Sequence, residues 1–277
     1  MMNSKAEILF DEATYNKLVV DLKASTGVGL VGYRRGVAQR RISRRARNVG
    51  CLTLADYLNY FRRDSSEPEK LASLVTLPVS KFFRNKDVFD AIAERVLPQV
   101  FDKARKDEKI FIWCAGCGEG EEVYSIAITL KTQFENELDI NPCSIIGTDV
   151  NLSAVEKAGA GVYDEKRLEE VPPSIKHKFF GQTDGGWSIN REIRQMVAFR
   201  REALPEGRGV GKAHLVMLRN LLIYFDRDRQ ELILDKVVKC VKRDGFLVLG
   251  KSETLPGRFR EMLDTVSAPQ RIYRKVP

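Results

Sequence analysis

Apolar residues in the first third of the chain recur at intervals of three and four, the spacing of an amphipathic helix. Two such sets are Tyr15, Leu18, Val19 and Leu22, and Leu54, Tyr57, Leu58 and Phe61. The polar stretch 62–70 contains a proline and predicts a loop between two helices. We therefore expect residues 1–90 to form a small all-helical domain.

From residue 91 onwards, short apolar runs alternate with helical patterns. The runs that predict buried strands are 110–113, 144–149, 214–218 and 246–250, and a further strand at a sheet edge is expected over 271–275. This alternation is typical of an α/β, Rossmann-like doubly wound sheet. It is interrupted over 164–200, where two short helices, around Arg167 and Ile175, precede a turn-rich segment between strand-like pieces.

The first of these strands leads into a glycine-rich turn and the start of a helix. Three glycines stand at alternate positions, Gly116, Gly118 and Gly120. In doubly wound folds such a turn holds a nucleotide-like ligand, because glycine permits close approach and free amides point at the ligand. The carboxylates beside the turn are Glu119, Glu121 and Glu122. They would repel a pyrophosphate and favour a positively charged ligand such as S-adenosylmethionine. The alternative is that Glu121 and Glu122 only stabilise the helix N-terminus.

The next strand ends in an acid, Asp149. An acid at this position of a doubly wound fold accepts hydrogen bonds from ribose hydroxyls, and S-adenosylmethionine has that ribose. Asp149 could instead cap the following helix, a role that Asn151 could fill alone. The two roles compete for one side chain, and the glycine turn upstream favours ribose binding.

Five segments resemble one family in their order and spacing. They are TLPVSKFFRN (76–85), WCAGCGEGEEVYSIAI (113–128), IIGTDVN (145–151), LRNLLIYFD (218–226) and LGKSETL (249–255). The chain resembles the CheR-type chemotaxis receptor methyltransferases over nearly its whole length. The resemblance implies a methyltransferase domain over 91–277 with an inserted β subdomain at about 164–200. It also implies that glutamates of receptor signalling helices are methylated from S-adenosylmethionine, with S-adenosylhomocysteine as the product.

The resemblance also implies roles for individual residues. A carboxylate is already a nucleophile at neutral pH, so its methylation needs positioning rather than a general base. Arg84 and Tyr224 match the family positions that orient the reacting groups, although alone they read as a surface arginine and a core aromatic residue. The cofactor-binding positions implied are Ser80, Arg84, Ala115, Gly116, Glu121, Asp149, Val150, Leu204, Asn220 and Leu221.

Several positions depart from the family pattern. Pro78 and Ala203 each stand where asparagine is common, and Glu119 stands where threonine is common. Val123 replaces a common proline, and His214 replaces a common aspartate. Pro78 and Ala203 each remove a polar group, which would weaken or rearrange cofactor binding. A non-catalytic scaffold that binds the cofactor or the receptor is therefore an alternative to an active enzyme.

The formal net charge of +8 is concentrated in one segment. Residues 22–55 contain no acid, and seven arginines lie there: Arg34, Arg35, Arg40, Arg41, Arg44, Arg45 and Arg47. An apolar seam threads this segment at near-helical spacing and predicts a helix with a basic face. Such a helix could bind nucleic acid, an anionic membrane or an acidic protein, or be a solvated face. The resemblance favours acidic receptor helices as the substrate, bound by Arg40, Arg41, Arg44, Arg45 and Arg47.

Other partners and ligands are not expected. An RNA methyltransferase is the rival reading, but an aromatic-rich basic platform for stacking bases is missing from the sequence. The turn GQTDGGW (181–187) is short for a clamp on a receptor's C-terminal pentapeptide, so we expect no tether. The pair Cys114 and Cys117 reads as small packing residues, and no metal is expected. Without a signal peptide or an apolar span, we expect a cytoplasmic protein with no membrane insertion. We also expect a monomer.

Overall fold

The structure, a computed structural model, describes residues 8, 10–76 and 80–276. It consists of two compact units, Met1–Leu77 with Tyr224–Arg229, and Pro78–Ile223 with Gln230–Pro277. The division falls at residue 77, whereas the sequence pattern places it at 90. The residues between these positions belong to the second unit, because Phe82, Val88 and Phe89 are buried in the same apolar core as its sheet.

The first unit contains four helices, as the apolar spacing predicts. They are α1 (Glu12–Thr26), α2 (Arg35–Asn48), α3 (Leu54–Arg63) and α4 (Glu67–Thr76). Thr53 begins α3 with a capping box, since its side chain accepts from Asp56 N while the Asp56 carboxylate accepts from Thr53 N. The loop predicted over 62–70 is present but shorter, at 64–66, because α3 continues to Arg63 and α4 already begins at Glu67. Pro68 lies in its first turn, where proline costs no helical hydrogen bond.

The second unit contains the remaining helices and all ten strands of the described chain. The helices are α5 (Lys86–Ala91), which continues through a π-helical turn (Ile92–Val96) into α6 (Leu97–Lys103), then α7 (Glu121–Gln133), α8 (Glu135–Ile140), α9 (Leu152–Ala160), α10 (Pro173–Phe179), α11 (Arg191–Gln195) and α12 (Arg227–Cys240), whose first residues belong to the first unit. The strands are β1 (Ile110–Ala115), β2 (Cys143–Asp149), β3 (Val162–Tyr163), β4 (Phe180–Thr183), β5 (Gly186–Ile189), β6 (Val197–Arg201), β7 (Ala213–Leu218), β8 (Val241–Leu249), β9 (Leu263–Ser267) and β10 (Ile272–Lys275).

Seven strands form the central sheet, in the order β6-β2-β1-β7-β8-β10-β9. The first five are parallel to one another, and β10 is antiparallel to both of its neighbours. Fully buried apolar residues on β1 and β7 fill the middle of this sheet, among them Trp113 and Leu215. The expected edge strand is wrong, since β10 lies inside the sheet and β9 takes the edge.

A second, three-stranded sheet has the order β3-β5-β4 and is antiparallel throughout. A 3-10 turn (Glu165–Leu168) and α10 precede its hairpin, which confirms the two short helices predicted around Arg167 and Ile175. The insertion ends earlier than predicted, because β6 pairs with β2 in the central sheet. Among the described residues, no helix is both long and apolar enough to cross a bilayer.

Candidate functional site

The strand order of the central sheet reverses at β1. From β1 the chain passes to β2 on one side and later to β7 on the other. The carboxyl ends of such strands leave a crevice, which is where doubly wound folds bind ligands. Six predicted cofactor-binding residues lie at or just after these three strand ends: Ala115, Gly116, Asp149, Val150, Asn220 and Leu221.

The glycine turn after β1 has a backbone that side chains rarely tolerate. Gly116, Gly118 and Gly120 all have positive φ, at 71°, 56° and 95°. A Cβ on Gly116 would stand 3.0 Å from the Leu221 side chain, and one on Gly120 would stand 2.9 Å from Ala158 Cβ. Glycine is therefore needed here for both conformation and close packing. Two predicted residues, Gly116 and Leu221, are in contact.

Asp149 faces the glycine turn rather than capping a helix. Its Oδ2 accepts from Gly118 N at 3.0 Å, and its Oδ1 accepts from Asn151 N at 2.9 Å. The side chain of Asn151 caps α9 by accepting from Ala154 N at 3.2 Å. Burial raises the pKa of Asp149, and the two amide hydrogen bonds oppose that rise. Asn151 therefore supplies the cap of α9, so Asp149 is not needed in that role, and ribose binding by Asp149 stays a prediction.

The carboxylates at the turn are paired with basic residues distant in sequence. Arg167 donates Nη1 to Glu121 Oε1 and Nη2 to Glu119 Oε2, the latter at 2.5 Å. Lys157 Nζ lies 2.9 Å from Glu119 Oε1, and Arg219 Nη1 donates to Glu122 at 2.9 Å. These cations offset the charges of the three carboxylates, so the predicted repulsion of a pyrophosphate is weaker than the sequence alone suggests.

Glu121 nevertheless has one unsatisfied oxygen. Its side chain is fully buried, and its Oε2 has no hydrogen-bond partner among the described residues. Burial raises the pKa of Glu121 to about 7, although Arg167 opposes this by favouring the carboxylate. An orphaned buried acceptor is costly unless a donor from a ligand completes it. This oxygen is therefore available to a hydrogen-bond donor from a ligand.

Arg219 connects two of the segments that carry the family resemblance. Its side chain is 1% exposed, and its Nη2 donates to Arg84 O at 2.9 Å and to Asn85 Oδ1 at 3.0 Å. The turn it holds has positive φ at both Phe83 and Asn85. The arginine of RNLLIYF therefore fixes the backbone of FFRN, which places Arg84. Sequence reasoning missed Arg219, although its motif was recognised.

Glu253 is a second residue beside this crevice that sequence reasoning missed. Its buried carboxylate accepts from Asn220 N at 3.0 Å, Leu222 N at 2.7 Å and Gly250 N at 2.6 Å. These bonds hold the loop after β7, in which Asn220 adopts a φ of 60°. Burial raises the pKa of Glu253, and the amide bonds oppose the rise. The available signal was an acid inside the motif LGKSETL directly after a strand.

The other predicted cofactor residues surround this crevice less directly. Ser80 is half-buried, and its carbonyl accepts from Arg167 Nη1 at 3.3 Å. The carbonyl of Val150 accepts from Arg201 Nε at 3.1 Å, and Leu204 is half-buried after β6. Among the departures from the family pattern, His214 begins β7 at the opposite end of the sheet, where its Nδ1 accepts from Phe111 N at 3.1 Å. Pro78 lies outside the described residues.

The basic helix α2 in the first unit has an inward and an outward set of arginines. Arg45 makes two bonds to Glu67, at 2.8 and 2.5 Å, and Glu67 is fully buried and also accepts from Tyr57 Oη. Arg41 donates to Val75 O and lies 5.1 Å above the ring of Tyr224. Both side chains are engaged within the unit, so the structure does not favour the predicted substrate-binding role of Arg41 and Arg45.

The outward set is exposed. It consists of Arg40, Arg44 and Arg47, which pair with no acid among the described residues. Tyr224 groups with this unit too, stacked on Tyr33 with ring centroids 5.8 Å apart and an interplanar angle of 7°. It is half-buried rather than a core residue. Sequence reasoning missed Tyr33 as its neighbour.

The cysteine pair shows no sign of redox or metal chemistry. Cys114 and Cys117 are free thiols, buried at the strand end and the turn. Burial raises the pKa of both well above the ordinary value, which makes them poor nucleophiles. They fill space beside the glycine turn, and within the described chain no group of side chains is arranged to hold a metal ion.

Comparison with known proteins covers nearly the whole chain. A family model described as "CheR methyltransferase, SAM binding domain" matches residues 78–272, and one described as "CheR methyltransferase, all-alpha domain" matches 13–76. A chemotaxis protein methyltransferase of Borreliella burgdorferi is 28% identical over 92% of each chain. A putative methyltransferase, Cher3, of Pseudomonas putida is 30% identical over 99% of this chain and 98% of its own. An uncharacterized 104.1 kDa protein of Rhodobacter capsulatus is 33% identical, and the match spans 27% of that longer protein.

Proposed function

Because the chain belongs to the CheR methyltransferase family, we propose that it transfers a methyl group from S-adenosylmethionine to glutamate side chains of chemotaxis receptors. The family makes it a methyltransferase that uses S-adenosylmethionine as cofactor. The names of its relatives, which include chemotaxis protein methyltransferases at 28% to 30% identity, support a role in chemotaxis. The receptor and its glutamates are the part of this proposal that goes beyond those names.

The single observation that carries the cofactor assignment is the unsatisfied Glu121 Oε2. A buried acceptor on an ionised carboxylate suits the ammonium group of the cofactor. Asp149 keeps acceptor capacity beyond its two amide bonds and would hold the ribose hydroxyls. The positive φ of Gly116 lets the turn run close to the strand ends, while its amide and that of Cys117 donate to Thr148 O at 2.8 and 3.0 Å. The glycine turn would therefore offer a ligand close approach to the backbone rather than the free amides predicted from the sequence. The other residues assigned to the cofactor are Ser80, Arg84, Ala115, Val150, Leu204 and Asn220.

When bound, the cofactor supplies a sulfonium-activated methyl group. The substrate carboxylate is anionic at neutral pH, so the protein needs no base to generate the nucleophile. The task of the protein is to place the substrate carboxylate in line with the methyl group and to exclude water from the carboxylate and the sulfonium. We assign this orienting role to Arg84 and Tyr224. Arg219 holds the Arg84 backbone, and the Tyr33 ring stacks on Tyr224.

The exposed arginine strip Arg40, Arg44 and Arg47 suits an acidic helical substrate. The three side chains lie three and four residues apart on α2, so they face one direction. Exposed charges attract over a Debye length of about 8 Å at physiological salt and mainly accelerate encounter. A receptor helix rich in glutamate would supply the complementary surface.

The test is methyl transfer from labelled S-adenosylmethionine to a purified receptor signalling domain, with RNA as a parallel substrate. We expect alkali-labile label on the receptor, the behaviour of a glutamyl methyl ester, and none on RNA. Tyr224→Phe should lower turnover with little change in cofactor affinity. Label on RNA, or no transfer by a protein that binds the cofactor, would contradict the proposal.

A further inference from the structure

Arg167 occupies a junction that neither the family resemblance nor the reaction requires. It lies in the 3-10 turn that leads into the three-stranded sheet. Its guanidinium contacts three separate pieces of the cofactor site, namely Glu119 of the glycine turn, Glu121 of α7 and the Ser80 carbonyl. A planar guanidinium can bridge two carboxylates in this way, whereas an ammonium cannot reproduce the fork.

The two carboxylates held by Arg167 differ in their surroundings. Glu119 is 13% exposed and has a second cation, Lys157, at 2.9 Å. Glu121 is fully buried, and Arg167 is its one ion-pair partner within the described residues. A carboxyl group taken out of water protonates unless a nearby positive charge favours its anion. The ionisation of Glu121 therefore depends on Arg167.

We propose that Arg167 is a positioning residue that holds the Glu121 carboxylate as an oriented anion for the cofactor's ammonium group. Arg167 takes Oε1 and leaves Oε2 unsatisfied. The carboxylate is then fixed in rotation, with one oxygen kept for the ligand. This inference rests on the assignment of Glu121 to the ammonium group under the proposed function.

Within the part of the chain that the structure describes, three charged or titratable groups face Glu121 from the elements packed around it. They are Arg167, Glu119 and the hydroxyl of Tyr163 on β3, which itself donates to Glu119 O at 2.7 Å. Arg167 favours the Glu121 anion, and the negative charge of Glu119 disfavours it. Removing Arg167 should therefore raise the pKa of Glu121, and removing the charge of Glu119 should lower it.

The experiment measures S-adenosylhomocysteine affinity by calorimetry between pH 5.5 and 7.5, below the pKa of an α-amino group at roughly 7.7–8.0. The wild type should bind more tightly as the pH rises, because Glu121 ionises. Arg167→Met should weaken binding about tenfold or more at pH 7 and move the rise in affinity to higher pH. Glu119→Gln should move the same rise to lower pH. If Arg167 only maintained the fold, its removal and that of the Glu119 charge would not shift the pH dependence of affinity in opposite directions.

Two further variants keep the outcome decisive. Arg258→Met removes an arginine that also pairs with two acids, Glu231 and Asp235, and should match the wild type at every pH. Arg167→Lys retains the charge but loses the planar fork, so it should keep the wild-type pH profile while binding S-adenosylhomocysteine more weakly. This variant replaces Arg167→Met as the test if Arg167→Met fails to fold.

Two results separate this inference from the function it rests on. An Arg167→Met profile that runs parallel to the wild type, with no shift for Glu119→Gln, would overturn the role of Arg167, and so would wild-type affinity in Arg167→Lys. Wild-type affinity in Glu121→Gln would instead overturn the assignment of Glu121 to the ammonium group.

Discussion

Glu121 makes the stability of the ligand-free protein depend on pH in an unusual direction. Its pKa in the folded protein is about 7, against an ordinary value of 4.5, because burial disfavours the anion. Between these values the folded state binds more protons than the unfolded state, so stability falls as the pH rises. At one pKa unit per 1.36 kcal/mol, the loss across this window is at most about 3 kcal/mol.

Glu121→Gln removes the titrating group and should remove this fall. We expect the free energy of unfolding in urea to decline less between pH 5 and 7.5 in Glu121→Gln than in the wild type. The slope is the readout, because the variant also loses an ion pair and its absolute stability will change. Equal slopes in both proteins would mean that Glu121 is already ionised throughout this range.

At the scale of single elements, α2 shows why neighbouring arginines have different roles. Arg45 neutralises Glu67, a carboxylate with no exposure, whereas Arg44 points to solvent. Arg45→Ala would strand a buried charge and should lower the free energy of unfolding by about 3 kcal/mol. Arg44→Ala should stay within about 0.5 kcal/mol of the wild type. Urea denaturation of the two variants checks this, and similar losses in both would contradict the inward and outward division of the helix.

The loop after β7 depends on a carboxylate from the next strand end. Glu253 accepts three backbone amides, from Asn220, Leu222 and Gly250. Glu253→Ala leaves these donors buried without partners, so we expect a loss on the order of 3 kcal/mol in stability and weaker S-adenosylhomocysteine binding through Asn220. Thermal unfolding and calorimetry measure both effects. The exposed Glu261→Ala is the matched control, and a Glu253→Ala protein that behaves like it would show that the loop holds its own conformation.

At the scale of the whole molecule, substrate recognition should follow the placement of positive charge. The double variant Arg40→Glu with Arg44→Glu should raise the KM for a receptor and flatten its dependence on salt, while cofactor affinity stays unchanged. Steady-state methylation at several ionic strengths measures this.

The control for that experiment reverses two exposed cations of the other unit, Lys106 and Arg243, and changes the net charge equally. It should leave the KM for the receptor near the wild-type value. An equal rise in both double variants would mean that total charge matters and not the strip. Deleting a C-terminal pentapeptide from the receptor should change little, and a large loss of methylation would contradict the prediction that the receptor is not tethered by its C-terminus.

The sequence by itself determined those features that depend on neighbours along the chain. The strand, glycine turn and helix start at 110–133 are local, because apolar periodicity and glycine conformations specify them within a few residues. The same holds for Asp149 at the end of β2 and for the four helices of the first unit. The family resemblance added Arg84 and Tyr224, which periodicity alone would have left as a surface and a core residue.

Only the tertiary structure decided which charges meet. Periodicity gives α2 a basic face, but the buried Glu67 of α4 selects Arg45 as its partner and leaves Arg44 outside. Arg167 reaches Glu121 from 46 residues away, and no spacing rule predicts that contact. Likewise, β10 lies inside the sheet because β9 pairs with its far side. Burial is a property of the folded chain, so the partner of a buried charge and the order of strands are fixed only when distant segments pack together.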